Sequence, residues 1–206
     1  MRNATVIFAC ASSEVNFLVM HQNTLVPSNT AFVIIDMQEA FRDKIADFTA
    51  ISKRISVMTQ AAKLLNVPTL VTEQYPKGLG VTAEEIKAVL PVEVEIIEKT
   101  TFSSCGVQPF RSQLEQTRAR QVLVSGIEAH VCVNQTVHDL LASGYQVHIL
   151  VDCISSRDSE NKRIALSKMQ MSGVIPSSLE MALFELMRDA KHEQFRAIQK
   201  MIVNLK

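Results

Sequence analysis

The stretch QVLVSGIEAHVCVNQTVHDLLASG, residues 121–144, decides the fold class. Its first six residues are a short apolar run that reads as a buried strand. Residues 130–143 follow with helical character, and Gly144 supplies a helix-ending glycine. A strand running straight into a helix is the building unit of a parallel sheet, because parallel neighbours need a crossover between them. The unit also holds one cysteine, Cys132, near the expected helix start. Two readings stand open for it: a nucleophile set in the first turn, or a small hydrophobe facing the core.

Outward from this unit the pattern repeats on both sides. Strands are expected over 31–36, 68–73, 92–99, 146–152 and 174–176. Helices are expected over 48–65, 108–118, 159–172, 178–188 and 191–203, with a short one opened by Thr82 and stopped by Pro91. Along 48–65, Ile51, Ile55, Met58, Ala62 and Leu65 fall on one helical face. Near-continuous apolar strands alternating with helices predict a three-layer α/β/α, Rossmann-like architecture with a six-stranded, mostly parallel sheet. Residues 30–206 form that domain, and residues 1–29 read as an N-terminal arm.

Composition bounds the function. At 206 residues the chain fits one domain with a core that needs no disulfides, and 21 basic residues balance 21 acidic ones. With no basic surplus or stripe, nucleic acid is not the expected partner. No apolar run is long enough for a bilayer. The cysteines at 10, 105, 132 and 153 form no C-x-x-C pair, so neither a thioredoxin-type motif nor a zinc knuckle is written here, and the five histidines show no H-E-x-x-H spacing. The first strand–helix turn, Asp36-Met-Gln-Glu-Ala-Phe-Arg-Asp, has no glycine. Close backbone approach to phosphate needs glycines there, so no nucleotide cofactor is expected. The segment 4–11, apolar after Arg2, faintly resembles a secretory leader or a mitochondrial presequence; a plain arm, or a start at Met20, reads equally well. Cytoplasmic placement is expected, mitochondrial if the arm is a presequence.

In an open parallel sheet, ligands bind outside the carboxyl ends of the strands. The reactive residues at those ends include Asp36, Glu73, Lys99, Cys132 and Asp152. Asp36, Lys99 and Cys132 form a chemically complete set: a base, a cation and a nucleophile. A helix start and a neighbouring lysine would lower a thiol from its ordinary pKa of ~8.5. Against this, an Asp at a strand end is often a turn residue, and a Lys there is usually solvated.

The motifs FVIIDMQEAF, LVTEQYPKGLG, EKTTFSS and SGIEAHVCVNQTVHDLLASGYQVHILVD, in that order, resemble the isochorismatase-like cysteine hydrolases. Within that superfamily the chain is similar to the eukaryotic isochorismatase domain-containing proteins. The resemblance implies a catalytic triad of Asp36, Lys99 and Cys132. It also implies a cis Ile127–Glu128 peptide that turns the Glu128 N–H toward the site, forming an oxyanion hole with the Cys132 N–H. Phe41 and Phe102 match pocket residues, and Tyr75 and His130 are expected at the same pocket. The metal-binding D-x-H pattern of nicotinamidases is absent, as no histidine follows Asp36, so no metal is expected. Isochorismatases proper lack the cysteine. The implied activity is hydrolysis of a small amide-like C–N bond through a thioester, by an enzyme without cofactor that forms a homo-oligomer. The alternative is a binding or scaffold protein on the same fold with little or no turnover, and a Glu98- or Glu73-based nitrilase-type site ranks last.

Overall fold

The structure is a computed structural model that describes residues 21–205. The segment 1–20, which holds most of the expected arm and the leader-like stretch, lies outside the described residues. Six strands form one sheet: β1 (Thr30–Ile35), β2 (Thr69–Gln74), β3 (Ile96–Lys99), β4 (Gln121–Ile127), β5 (Gln146–Ser155) and β6 (Ile175–Ser177). All the pairings are parallel, in the order β3-β2-β1-β4-β5-β6. The helices are α1 (Phe48–Leu64), α2 (Pro76–Leu79), α3 (Glu84–Lys87), α4 (Gln108–Gln116), α5 (Asn134–Ala142), α6 (Ser159–Met171), α7 (Leu179–Met187) and α8 (Phe195–Val203).

Side-chain parity along the strands builds the layers. Every residue of β1 is buried. Phe32 and Ile34 pack with α1, α7 and α8, while Ala31, Val33 and Ile35 pack with α4, α5 and α6 on the other face. The five expected apolar positions of α1, from Ile51 to Leu65, are all buried. Helix starts follow side-chain chemistry. The Asp158 carboxylate accepts from Asn161 N–H at 2.7 Å to open α6. At α7, the Ser178 hydroxyl accepts from Met181 N–H at 3.3 Å and the Asp152 carboxylate accepts from Leu179 N–H at 2.9 Å.

Four expectations need correction. Strand β3 covers only Ile96–Lys99, because Val92 and its charged neighbours before β3 lie at the surface beside an edge strand. The loop after β2 contains α2, opened by Pro76 at its first position. Residues 21–29 are no detached arm: Leu25 is fully buried, its N–H donates to Glu185 Oε2 at 3.0 Å, and Val26 N–H donates to Gln121 Oε1 at 2.9 Å. The helix expected over 130–143 opens as a π turn, Ala129–Val133, before α5 begins.

The strand order reverses between β1 and β4. The chain winds outward from β1 to β3, then returns to lay β4 on the other side of β1. The carboxyl ends of β1 and β4 therefore border the crevice where this class of sheet binds ligands.

Candidate active site

The backbone at that crevice is unusual on both sides. Asp36, directly after β1, has φ 51°, a left-handed conformation that Asp tolerates better than most residues. Its N–H donates to Thr72 O at 3.1 Å and its carbonyl accepts from Gln38 N–H at 2.8 Å. Opposite it, Gly126 has φ 116°, and a Cβ there would lie 2.0 Å from Ile35 O. Only glycine lets β4 run this close to β1. The β4–β5 register shifts between Val124 and Gly126, and the Ile127–Glu128 peptide is cis. The π turn carrying Cys132 comes next; such turns recur at functional sites.

Three side chains from three strand ends meet here. Lys99 reaches across from edge strand β3, and its Nζ lies 2.6 Å from Asp36 Oδ2. Both side chains are essentially closed to solvent. The ammonium also donates to Gln74 Oε1 at 2.8 Å, Phe102 O at 3.1 Å and Thr101 O at 3.2 Å. A buried ion pair holds only when its remaining donors and acceptors are met, and these contacts meet them. The other carboxylate oxygen, Asp36 Oδ1, accepts from Thr72 Oγ1 at 2.7 Å. Cys132 lines the same cavity as that carboxylate.

The thiol is not the preformed thiolate expected from a helix start. Burial pushes its pKa up to about 12, and the Asp36 carboxylate pushes in the same direction; Lys99 opposes both without offsetting them. The resting site therefore holds a neutral thiol beside a lysine–carboxylate pair, which calls for a base during attack.

A row of buried hydroxyls backs the pair. Thr72 Oγ1 and Ser104 Oγ lie 3.4 Å apart, Thr136 Oγ1 is 3.4 Å from Ser104 Oγ, and Thr136 Oγ1 donates to Cys132 O at 2.7 Å. A second clasp holds the loop beyond β2. The fully buried Gln38 side chain donates to Gly80 O at 2.7 Å and Gln74 O at 3.0 Å, and accepts from Gln74 N–H at 2.8 Å. Thr72, Gln74, Ser104, Thr136 and Gln38 were not among the expected site residues. All five lie within the quoted motifs, but nothing in the sequence set them apart there as site residues.

A cavity of about 120 Å³ opens over Cys132, lined by Asp36, Phe41, Leu79, Phe102, Ile127 and Val131 among others. Phe41 and Phe102 line it. Tyr75 and His130 do not. Tyr75 has φ 39°, is half exposed, and lays its ring over Gly78 at the start of α2. His130 turns aside, with Nδ1 3.0 Å from Ser156 Oγ, because two residues along a turn separate it from Cys132 in direction. The Glu128 carboxylate also faces away, accepting from Arg157 Nε at 2.9 Å and Arg157 N–H at 3.0 Å. Larger clefts lie elsewhere, one of about 560 Å³ between Lys63, Pro68 and Gln113, but none contains this convergence of buried polar groups. Among the described residues, no three His, Cys, Asp or Glu side chains come together as metal ligands, and no helix is long and apolar enough to cross a membrane.

Comparison with known proteins adds independent observations. The isochorismatase domain model matches residues 30–181. Isochorismatase domain-containing protein 2 of Rattus norvegicus is 40% identical over 179 residues, covering 86% of this chain and 83% of that protein. Among solved structures, the MAR1 ribonuclease of Caenorhabditis elegans superposes with a TM-score of 0.84 at 38% identity, over 87% of this chain and 92% of that one. The Escherichia coli YcaC gene product, an octameric hydrolase of unknown specificity, shares the fold at 19% identity with a TM-score of 0.78, over 91% of this chain and 100% of that one.

Proposed function

The chain belongs to the isochorismatase family, and from that premise we propose that it is a cysteine hydrolase cleaving a small amide-like C–N bond. The observation that carries the reading is the enclosed Lys99–Asp36 pair, which shares one cavity with Cys132 at the point where the strand order reverses.

In this mechanism Asp36 takes the thiol proton as Cys132 Sγ attacks the carbonyl carbon. The tetrahedral oxyanion is received by the backbone N–H groups of Glu128 and Cys132. Asp36 then returns the proton to the leaving nitrogen, the C–N bond breaks, and a thioester remains. Water gives a proton to Asp36 and attacks the thioester; the C–S bond breaks, the acid departs and the thiol recovers its proton. Lys99 stays cationic throughout and steadies the negative charge that moves between Asp36 and sulfur. Glu128 acts through its backbone, as its carboxylate is committed to Arg157.

The test is direct. Incubation with a panel of small amides should release the amine and leave a transient acyl mass on the Cys132 peptide. Cys132→Ala should remove both. Absence of adduct and of product across the panel would count against hydrolysis and favour a binding role for the fold. The name of the Caenorhabditis elegans relative motivates a second reading, RNA cleavage. Phosphodiester binding asks for available cations, and Lys99, already surrounded by four acceptors, is not one. RNA digestion lost in Cys132→Ala would reverse that ranking. Self-association is part of the proposal, supported by Met181 and Phe184 standing exposed on α7; light scattering reads it.

A further inference from the structure

We infer that the acyl group accepted at Cys132 is small, uncharged and apolar, and that anionic acyl chains are turned away. This rests on the hydrolase reading for its chemistry, but the selectivity comes from the cavity.

Size comes first. A dry apolar cavity of about 150 Å³ takes up benzene. The space over Cys132, about 120 Å³, is somewhat smaller. It encloses roughly five or six non-hydrogen atoms on the same scale. Phe41, Leu79, Phe102, Ile127 and Val131 make up most of its lining, with Asp36, Gln74 and Glu128 as the polar members.

The state of the polar groups decides the rest. Lys99 has three N–H donors and four oxygen acceptors within 3.2 Å, so none is spare for a ligand. Gln74 is engaged at both ends of its amide: Oε1 accepts from Lys99, and Nε2 donates to Thr100 O at 2.8 Å. The Glu128 carboxylate is held by Arg157. The Asp36 carboxylate, which also lines the cavity, is already taken by Lys99 and Thr72 Oγ1. An anionic chain entering here would lose its water and find no unengaged cation to replace it. A neutral apolar chain meets only walls that match it, and its carboxamide needs no partner beyond the reacting groups. The site thus reads one polar group per ligand, the one that reacts.

The experiment compares two alkylating agents of nearly equal size. Iodoacetamide and iodoacetate both form a Cys132 S–C bond with loss of iodide and differ in charge. Labelling of the Cys132 peptide in the full chain is followed by mass spectrometry, and each rate is divided by the rate with mercaptoethanol. The normalised preference for iodoacetamide is expected to exceed roughly tenfold. 3-Methylbutanamide in excess should slow the labelling; malonamate, which has the same shape with a carboxylate in place of the two methyl groups, should not, nor should the oversized 2-naphthamide. Phe102→Arg places a cation at the exposed rim and should pull the preference back toward one. Equal normalised rates for the two reagents, or protection by malonamate as strong as by 3-methylbutanamide, overturns the inference. None of these readouts needs turnover. Selectivity without amide hydrolysis would remove the hydrolase reading and leave this one; hydrolysis of anionic amides would do the reverse.

Discussion

Asp36 has two opposed effects on Cys132, and they can be separated. Its charge raises the thiol pKa, while its basicity is what the proposed attack uses. Asp36→Asn removes the charge and keeps the size. At fixed pH below 12 the thiolate fraction rises as the thiol pKa falls, so Cys132 should alkylate faster in the variant. Amide turnover should drop by about 10²–10⁴ in the same protein. Slower alkylation in Asp36→Asn would show that the carboxylate does not suppress the thiolate. Thr72 is a positioning residue with a smaller effect. Thr72→Val leaves Asp36 Oδ1 buried without its donor, at a cost of about 1–3 kcal/mol in urea unfolding. Asp36 and Lys99 were legible as carboxyl-edge residues because each stands at the end of its strand, and Cys132 as the cysteine of the turn that follows β4. Thr72, Ser104 and Thr136 were not, since a hydroxyl within a strand or helix reveals nothing about the strand or helix it faces.

At the scale of elements, the crossing of β1 and β4 fixes the site's shape. Gly126 and Gly144 both have positive φ, 116° and 83°, yet a Cβ at Gly126 strikes Ile35 backbone while one at Gly144 meets nothing within 4 Å. Gly144→Ala should cost about 1–2 kcal/mol, the left-handed penalty alone. Gly126→Ala should cost more than about 3 kcal/mol or prevent folding, since β1 and β4 would have to part. Chemical denaturation of the two variants side by side reads the difference. Gln38 plays the corresponding part for the loop after β2: one side chain closes three hydrogen bonds to Gln74 and Gly80. Gln38→Leu should loosen that loop and raise KM more than it lowers kcat, because Leu79, a wall of the cavity, rides on it. The sequence revealed these elements by period and apolar runs. The π turn was invisible, because its residues suit an α-helix equally well and the tight entry from β4 decides the winding.

For the whole molecule, His148 shows what a parallel core does to a polar residue. It lies on β5 between Leu123 of β4 and Ile175 of β6, its Nε2 is buried without a partner, and burial lowers its pKa to about 4. The folded pKa lies below the unfolded value, so the unfolded chain binds the proton more readily. The contribution of His148 is complete above about pH 6.5 and is lost as pH falls toward 4, by about 3 kcal/mol in all. His148→Leu should flatten that part of the stability–pH curve; an unchanged slope between pH 6.5 and 4 would place the acid sensitivity elsewhere. By itself the sequence determined the layers, the parallel sense of the sheet and which residues stand at its carboxyl edge, because hydrophobic period and chain connectivity are local properties written in order along the chain. The tertiary structure alone decided that Lys99 is saturated, that the thiol rests protonated, that Tyr75 and His130 turn away, and how small the cavity is. Each of these depends on desolvation and on distances between strands far apart in sequence, and neither is set until the sheet closes.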